Sequence, residues 1–296
     1  MNQNKNTPLP IWRSMLFVPG NSERFISKAH TRGADAIILD LEDSVPLTEK
    51  PKARRSISGA VKSVSQSGAD TMVRINEPLR EAVRDLEAAV VPGVRAIVVP
   101  KARGACHLNR LSELIGELES EQGMRQGEVA MIVQIETLDA LLVLDDMAAV
   151  SRVVGMTLGT EDFSADAGMA SIPEALMGPS QQILFAARRH RCIPYGFVAS
   201  IADYSDLDKF FNTINQARQL GFCGALAVHP SQVAVMNEAY LPTAQEIELA
   251  RRIESEFADS VAKGRGAFAI DGKMIDKPVL DRALQQLAMA RRFEKE

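Results

Sequence analysis

The chain has 296 residues, enough for one large α/β domain or two small ones, and its 46% hydrophobic and 24% charged content is ordinary for a globular protein. Thirty-four basic and thirty-eight acidic residues give a net charge of -4, which argues against a nucleic-acid partner or an anionic membrane surface. No signal-like start and no apolar run near the roughly 20 residues that span a bilayer is visible, so we expect a cytoplasmic protein.

Short β-rich segments alternate with helical patterns as far as about residue 230. The eight expected strands cover 14–18, 34–41, 71–75, 95–100, 129–136, 153–159, 193–198 and 224–229, and the seven expected helices cover 22–33, 49–68, 79–93, 107–123, 138–151, 173–190 and 206–221. Parallel strands need helical crossovers, and eight of them close into a filled ring. The pattern therefore predicts a (β/α)8 TIM barrel, in preference to a doubly wound open sheet, which usually has fewer strands.

The chain changes character after the eighth strand. A helix is expected at 242–261, a hairpin turning at Asp271 and Gly272, and a final helix at 277–296. This tail is too short to be an independent domain. We expect a flexible N-terminus at 1–12, a barrel catalytic domain at 13–232, and a C-terminal extension or lid at 233–296 that packs on the barrel or on a neighbouring subunit.

Polar side chains collect at the carboxyl ends of the predicted strands, which is where the functional groups of such a barrel lie. They are Asp40, Glu42, Asp43, Arg74, Asn76, Lys101, Gln134, Glu136, Glu161, Asp162 and His229. Of these, Glu136 and Asp162 follow adjacent apolar strands, and hard divalent cations take one or two protein carboxylates while water and substrate fill the other positions. The pair predicts a Mg²⁺ site, with Mn²⁺ as a second option; salt bridges to helix caps are the structural alternative.

Arg74 lies inside an apolar strand, where a guanidinium needs an acidic partner, an anionic substrate or both. Its planar fork suits a carboxylate. Alternation with period two places Asp40 and Glu42 on one face of the second strand and Asp43 on the other. We therefore expect Asp40 and Glu42 to neutralise and orient Arg74 rather than to form the metal site themselves, with Asp43 facing outward.

A basic stripe follows the first strand. Arg24, Lys28 and Arg32 recur every four residues on one helix face, and Asn21 or Ser22 is placed to cap that helix. Such a stripe suits phosphates, although a solvated helix face gives the same pattern. His229, which closes the eighth strand, is expected to be a structural hydrogen bonder.

Seven segments in order resemble one known family: RSMLFVPGNSERFISKA, DAIILDLEDSV, VRIN, VPKA, QIET, GTEDF and AVHPSQV. The chain is similar to the citrate lyase β-subunit-like family, within the group of HpcH/HpaI-type aldolases and malyl-CoA or citramalyl-CoA lyases, from about residue 13 to the C-terminus. The resemblance implies a Mg²⁺-dependent carbon–carbon lyase that cleaves or forms a 3-hydroxyacyl-CoA thioester through a metal-stabilised enolate.

The resemblance also implies roles for single residues. Arg74 and Glu136 would contact the substrate, while Glu136 and Asp162 would hold the metal. Phe17, Arg24 and Lys28 would contact coenzyme A, with Phe17 also near the substrate. Asp276, in the segment DGKMID, would cross to a neighbouring subunit of a homotrimer or hexamer and act as acid or base. With Arg74 and the two acids expected beside it, Asp40 and Glu42, it makes up the predicted catalytic group.

Three other functions remain open at this point. A citrate lyase β-subunit would act on an acyl-carrier-protein thioester within a larger complex. A 2-oxo-acid aldolase would work without coenzyme A, although the basic stripe and the Asp276 segment argue against it. A non-catalytic barrel scaffold would have lost the metal pair or the buried arginine, and both are present.

Overall fold

The computed structural model of the protein describes residues 11–262 and 267–293, and it forms two compact units, Met1–Glu238 and Ala239–Glu296. The strands of the first unit are β1 Ser14–Pro19, β2 Ala36–Asp40, β3 Asp70–Arg74, β4 Val94–Val99, β5 Ala130–Ile135, β6 Val153–Leu158, β7 Ile193–Tyr195 and β8 Ala225–Ala227. Its helices are α1 Glu23–Ala29, α2 Lys50–Val64, α3 Leu79–Ala89, α4 Ala105–Glu121, α5 Leu138–Leu141, α6 Leu144–Ala149, α7 Thr160–Asp166, α8 Pro173–Arg189, α9 Leu207–Leu220 and α10 Pro230–Ala239. Short 3-10 turns occupy His30–Arg32 and Leu47–Glu49.

The eight strands form one parallel sheet in the order β7-β6-β5-β4-β3-β2-β1-β8. The ends of this order are joined by two backbone hydrogen bonds, from the Cys223 amide to the Pro194 carbonyl (3.1 Å) and from the Gly196 amide to the Gly224 carbonyl (2.8 Å). The sheet therefore closes on itself, with helices following the strands, and the predicted TIM barrel is confirmed.

The interior of the barrel is filled by side chains that alternate along the strands. Its buried residues are Trp12, Met15, Ala36, Ile38, Met72, Ala96, Val98, Ile132, Ile193, Tyr195 and Leu226. Because successive strand residues point to opposite faces, the residue two positions after each inward-facing apolar side chain also points inward. This periodicity carries the polar groups of the strand ends into the mouth of the barrel.

The barrel begins earlier than the sequence suggested. Residues 1–10 of the expected flexible segment lie outside the described part of the chain, but Trp12 is only 2% exposed and its indole Nε1 donates a hydrogen bond to Asp70 Oδ2 at 2.7 Å. Trp12 also packs near Tyr195, with ring centroids 6.3 Å apart. The expectation of flexibility is wrong for Trp12, because its indole belongs to the buried core of the barrel and is tied to Asp70.

The helices differ from the sequence expectations in three places. The expected helix at 138–151 is two short helices, α5 and α6, interrupted at Leu142 and Val143. The expected helix at 22–33 becomes a 3-10 turn after Ala29. Two helices, α7 and α10, were not expected at all, and α7 starts within two residues of the end of β6.

The second unit contains α11 Ala244–Ala262, a hairpin of β9 Phe268–Ile270 and β10 Lys273–Ile275, and α12 Lys277–Phe293. The hairpin turns at Asp271 and Gly272, whose φ angles of 48° and 76° are the left-handed pair that a two-residue hairpin turn requires. Its core is small and apolar, formed by Ala250, Ile253, Ile270, Ile275, Ala283 and Leu287. Across the described residues, no helix is both long and apolar enough to cross a membrane.

Candidate active site at the barrel mouth

A cavity of about 420 Å³ opens at the carboxyl ends of the barrel strands. Asp40, Arg74 and Gln134 line it, each two residues beyond a core side chain of its strand: Ile38, Met72 and Ile132 respectively. Glu136, Asp162 and Phe17 line it as well. Most of the residues that the sequence placed at this rim thus line one cavity, and alternation along the strands accounts for four of them: Asp40, Arg74, Gln134 and Glu136.

The Arg74 guanidinium is held from two sides by carboxylates. Its Nε and Nη2 donate to the two oxygens of Asp40 at 2.6 and 2.7 Å, and its Nη1 lies 3.0 Å from Glu42 Oε2. Glu42 Oε2 makes no hydrogen bond, so that contact is one of charge without hydrogen-bond geometry. The Phe17 ring stacks on the guanidinium, 4.6 Å from centroid to Cζ.

Asp40 and Glu42 therefore lie beside Arg74 as predicted, with one difference. The pair of donors formed by Nε and Nη2 of Arg74 binds Asp40 and is not left for a substrate. The remaining donors are the two hydrogens of Nη1 and the second hydrogen of Nη2.

Asp40 is buried and fully engaged in hydrogen bonds. Besides Arg74, it accepts from the Glu42 amide (3.0 Å), the Ser44 amide (3.1 Å) and the Ser44 hydroxyl (2.5 Å). Burial alone would raise its pKa, but Arg74 and these donors hold the pKa below its usual value. Asp40 is thus ionised and fixed, which makes it an anchor for Arg74 rather than a proton carrier.

The same hydrogen bonds explain where Asp43 lies. Strand β2 ends at Asp40, and the turn closed on the Asp40 carboxylate stops the period-two alternation before residue 43. Asp43 is exposed, but it does not point away from the site as expected. Its Oδ2 lies 3.7 Å from Arg74 Nη1, and the residue lines the cavity.

Asn76 supports this turn from below. Its side-chain amide donates to the Leu41 carbonyl (2.8 Å) and to Asp85 Oδ2 (2.6 Å). Lys50 Nζ donates to the Leu41 and Glu42 carbonyls, each at 3.0 Å. Asn76 is therefore a structural residue beneath the acidic turn, and it does not line the cavity.

Glu136 is 2% exposed and is fixed at both of its oxygens. Oε2 accepts from the Lys101 amide at 2.7 Å, and Oε1 accepts from Gln134 Nε2 at 3.0 Å. Gly159 packs against it so closely that a Cβ there would lie 2.5 Å from Oε1. Burial, followed by the charge of Glu42, raises the pKa of Glu136 to about 7.

Asp162 lies in the first turn of α7, directly after β6. Its carboxylate is 43% exposed, and Oδ1 is 3.4 Å from Lys101 Nζ. The neighbouring Glu161 accepts hydrogen bonds from Ser200 Oγ (2.7 Å) and Ser171 Oγ (3.2 Å), so it ties two loops together. Asp162 is the less constrained of the two acids and is free to take another ligand.

Glu136 and Asp162 fit a hard divalent cation that keeps other ligands. Among the described residues, no set of three histidine, cysteine or acidic side chains is arranged to hold a metal alone. Two carboxylates are what Mg²⁺ commonly takes from a protein when water and substrate supply the rest. The buried Gln134 Oε1 beside Glu136 has no hydrogen-bond partner. Burial, followed by the charge of Glu42, raises the pKa of Glu136, and a bound cation would favour its ionised form.

No role was assigned from the sequence to two residues that shape the site, Lys101 and Gly159. Lys101 was only one of the polar residues at the rim, but its amide and ammonium contact carboxylates that follow three different strands. Gly159 gave no signal except its position between an apolar strand and two acids. Both depend on distances between strands, which residue spacing does not contain.

The opposite wall of the cavity is apolar, formed by Phe197, Ile201, Leu226 and Val228 near β7 and β8. His229 lies just outside it, stacked on Tyr204 with ring centroids 4.6 Å apart, and its Nδ1 is 2.8 Å from Ser231 Oγ. These contacts agree with the structural role expected for His229.

The remaining predicted site residues lie outside the cavity lining. Arg24 and Lys28 are exposed on α1, which follows β1 at the same rim, and Ser22 occupies the N-cap position without a side-chain cap bond. Asp276 is in the second unit, where its Oδ1 accepts from the Val279 amide (3.3 Å) at the start of α12.

Comparison with known proteins gives one consistent result. The family model described as HpcH/HpaI aldolase/citrate lyase matches residues 13–230. Citrate lyase subunit beta of Leuconostoc mesenteroides subsp. cremoris is 32% identical over 284 residues, 94% of this chain and 93% of that protein. A (3S)-malyl-CoA thioesterase of Cereibacter sphaeroides is 32% identical over 282 residues, 94% of each chain.

Solved structures agree. CitE of Mycobacterium tuberculosis, in complex with magnesium, acetoacetate and coenzyme A, aligns with a TM-score of 0.73 and 29% identity over 94% of this chain and 97% of that one. A citrate lyase from Burkholderia xenovorans aligns with a TM-score of 0.80 at 19% identity, over 98% of this chain and 94% of that one, which supports the fold alone.

Proposed function

The chain belongs to the HpcH/HpaI aldolase/citrate lyase family, and from this premise we propose that it is a Mg²⁺-dependent carbon–carbon lyase acting on a 3-hydroxyacyl-CoA thioester of the malyl, citramalyl or citryl type. The observation that carries the proposal is the convergence of Arg74, Glu136 and Asp162 on one cavity. The CitE relative solved with magnesium, acetoacetate and coenzyme A supports it. A cytoplasmic location and a trimeric or hexameric assembly stay predictions.

In this proposal Glu136 and Asp162 hold Mg²⁺, which would act as a Lewis acid toward negative charge that develops on substrate oxygens. Arg74 binds the carboxylate end of the substrate through the guanidinium edge that Asp40 leaves available. Asp40 fixes the direction of that edge, and Phe17 covers its face. The 3-hydroxyl loses its proton to water, and the bond between carbons 2 and 3 of the acyl group breaks with its electron pair passing to carbon 2. The products are a 2-oxo acid and the enolate of a shorter acyl thioester.

The enolate carbon then needs a proton. Asp276 is the proposed donor, acting from a neighbouring subunit. Asp40 is a poor donor because its pKa is lowered and its oxygens are occupied. Arg24, Lys28 and Phe17 are proposed to contact coenzyme A, since the exposed basic pair suits its phosphates.

Malyl-, methylmalyl-, citramalyl- and citryl-CoA, each with Mg²⁺ or with a chelator, test the function directly. We expect Mg²⁺-dependent release of a 2-oxo acid from at least one ester, without release of free thiol. Arg74→Lys should lower this turnover roughly 100-fold, because lysine keeps the charge but cannot serve Asp40 and the substrate together.

The other outcomes identify different activities. Free thiol without a 2-oxo acid indicates hydrolysis, as the name of the thioesterase relative suggests for that protein. Cleavage of acyl-carrier-protein thioesters alone indicates a citrate lyase β-subunit. Cleavage of free 2-oxo-acid aldols indicates an aldolase that works without coenzyme A. No turnover of any of these substrates contradicts the proposal and favours a scaffold.

A further inference from the structure

Lys101 joins the carboxylates that line the barrel mouth. Its Nζ lies 3.0 Å from Glu42 Oε1, 3.4 Å from Asp162 Oδ1 and 4.0 Å from Asp43 Oδ1. Its backbone amide donates to Glu136 Oε2 at 2.7 Å. Lys101, which follows β4, thus contacts acids that follow three other strands, β2, β5 and β6.

The backbone of Lys101 is in the left-handed region, with φ at 45°. Two other non-glycine residues share this property in the described part of the chain: Asp271, in the hairpin turn, and Arg191, between α8 and β7. A strained residue persists only where its surroundings hold it in place. At Lys101 the conformation directs the amide to Glu136 while the side chain reaches Glu42 and Asp162, so both contacts are made at once.

The two side-chain contacts are unequal. Glu42 is 7% exposed and Asp162 is 43% exposed. Burial makes the Glu42 charge dependent on a cation nearby, whereas water solvates Asp162. The ammonium is also closer to Glu42. The contact with Asp162 is therefore the one that is more easily given up.

From these contacts we propose that the Lys101 ammonium competes with a divalent cation for Asp162. Lys101 would thereby weaken cation binding at Glu136 and Asp162. The inference rests on the proposed function, which places the cation on those two carboxylates. Without a cation, Lys101 offsets the repulsion among Glu42, Asp43 and Asp162. With one, its positive charge opposes the bound ion and stays beside Glu42.

Mn²⁺ binding followed by the electron paramagnetic resonance of the free ion tests this without any turnover. Lys101→Met removes the ammonium but keeps the hydrogen bond from the backbone amide of residue 101 to Glu136. This variant should bind Mn²⁺ about tenfold more tightly or better, because a unit positive charge within a few ångströms of the ion is lost. Lys101→Arg keeps the charge and should stay within about threefold of the wild type. Lys101→Gln repeats the test if the Met variant does not fold.

Arg103→Met is the matched control. Arg103 lines the adjoining cleft with Lys101 and Asp162, is 73% exposed, and pairs with Glu77 rather than with either proposed ligand. Its loss should change Mn²⁺ affinity by less than about threefold, since an exposed charge is screened by water and salt. Glu136→Gln should abolish the binding and so locate the ion.

Unchanged or weaker Mn²⁺ binding by Lys101→Met overturns the inference, because a purely structural lysine would lower affinity when removed. An equal gain in Arg103→Met also overturns it, since the effect would then belong to the general field. Wild-type protein that binds no Mn²⁺ in a Glu136-dependent way removes both the inference and the metal assignment. Absence of thioester turnover with the affinity pattern intact contradicts the proposed lyase activity alone.

Discussion

The proton on Glu136 should couple the proposed cation binding to the stability of the fold. Its pKa in the folded protein is raised to about 7 from the ordinary 4.5, chiefly by burial. Between these values the folded protein binds one more proton than the unfolded chain. The group's contribution to stability is therefore present at low pH and is lost as the pH rises through about 7, by roughly 3 kcal/mol in total.

We expect urea unfolding in the presence of a chelator to expose this dependence. From about pH 5 to pH 8 the wild type should lose roughly 3 kcal/mol more than Glu136→Gln, which has no charge to bury. The difference between the two curves removes contributions from other titrating groups. Parallel curves would show that Glu136 ionises normally in the folded protein. Saturating Mg²⁺ at pH 8 should restore the stability of the wild type but not of the variant.

Single residues were predictable where a strand fixed their direction. Arg74, Asp40 and Glu136 were found because each follows an inward-facing apolar residue or ends an apolar strand. Asp43 was misplaced because the turn closed on Asp40 interrupts the alternation. Lys101 received no role because its backbone conformation and its contacts across three strands cannot be read from neighbouring residues.

At the scale of elements, the start of β8 depends on a close backbone approach. A Cβ on Gly224 would lie 1.9 Å from the Trp12 carbonyl oxygen and 2.9 Å from Arg13 Cα, both backbone atoms that cannot turn aside. We expect Gly224→Ala to destabilise the protein by about 3 kcal/mol or more, because β8 must shift away from β1.

Gly59→Ala is the matched control for urea denaturation midpoints. Gly59 lies on an exposed face of α2, and a Cβ there would meet nothing within 4 Å. Alanine should stabilise this helix by about 0.5–1 kcal/mol. Equal midpoints for the two variants would mean that the approach of Gly224 to Trp12 is relaxed in solution.

The elements themselves were mostly predictable. All eight barrel strands and the C-terminal hairpin lie where β-rich runs and turn residues placed them. Helix α7 was missed because it follows β6 with only Gly159 between them, so no loop separates the two patterns. Helix α10 has Pro230 at its first position as its one clear start signal, and its apolar residues do not gather on one face of the helix.

For the whole molecule, the main prediction concerns Asp276. If Asp276 serves the site of a neighbouring subunit, chains that carry Glu136→Gln and chains that carry Asp276→Ala should complement each other. Neither homo-oligomer should turn over thioester. A randomly mixed oligomer should recover activity in about a quarter of its sites, since each site draws on two chains.

Turnover by purified mixed oligomers, carrying one tag on each kind of chain, measures this. A cis-acting Asp276 predicts no recovery, because every chain would then carry one defective site. A fully active Asp276→Ala homo-oligomer would remove Asp276 from the mechanism. The domain order, expected from composition, and the assembly, expected from the resemblance, both stay predictions, because residue spacing does not encode a contact between two chains.

The strands of the barrel differ in length and in the number of hydrogen bonds that join them to their neighbours. Strands β7 and β8 have three residues each, and two backbone hydrogen bonds join them, while the neighbouring strands on the far side of the barrel have five or six residues. Local fluctuation should therefore concentrate at this seam. The charged wall of the cavity, with Arg74 and Glu136, belongs to the longer strands β3 and β5. The apolar wall, with Phe197 and Val228, follows the short strands β7 and β8. Under the proposed function, we expect the side with longer strands to hold the reacting groups rigidly and the apolar side to adapt to acyl groups of different size.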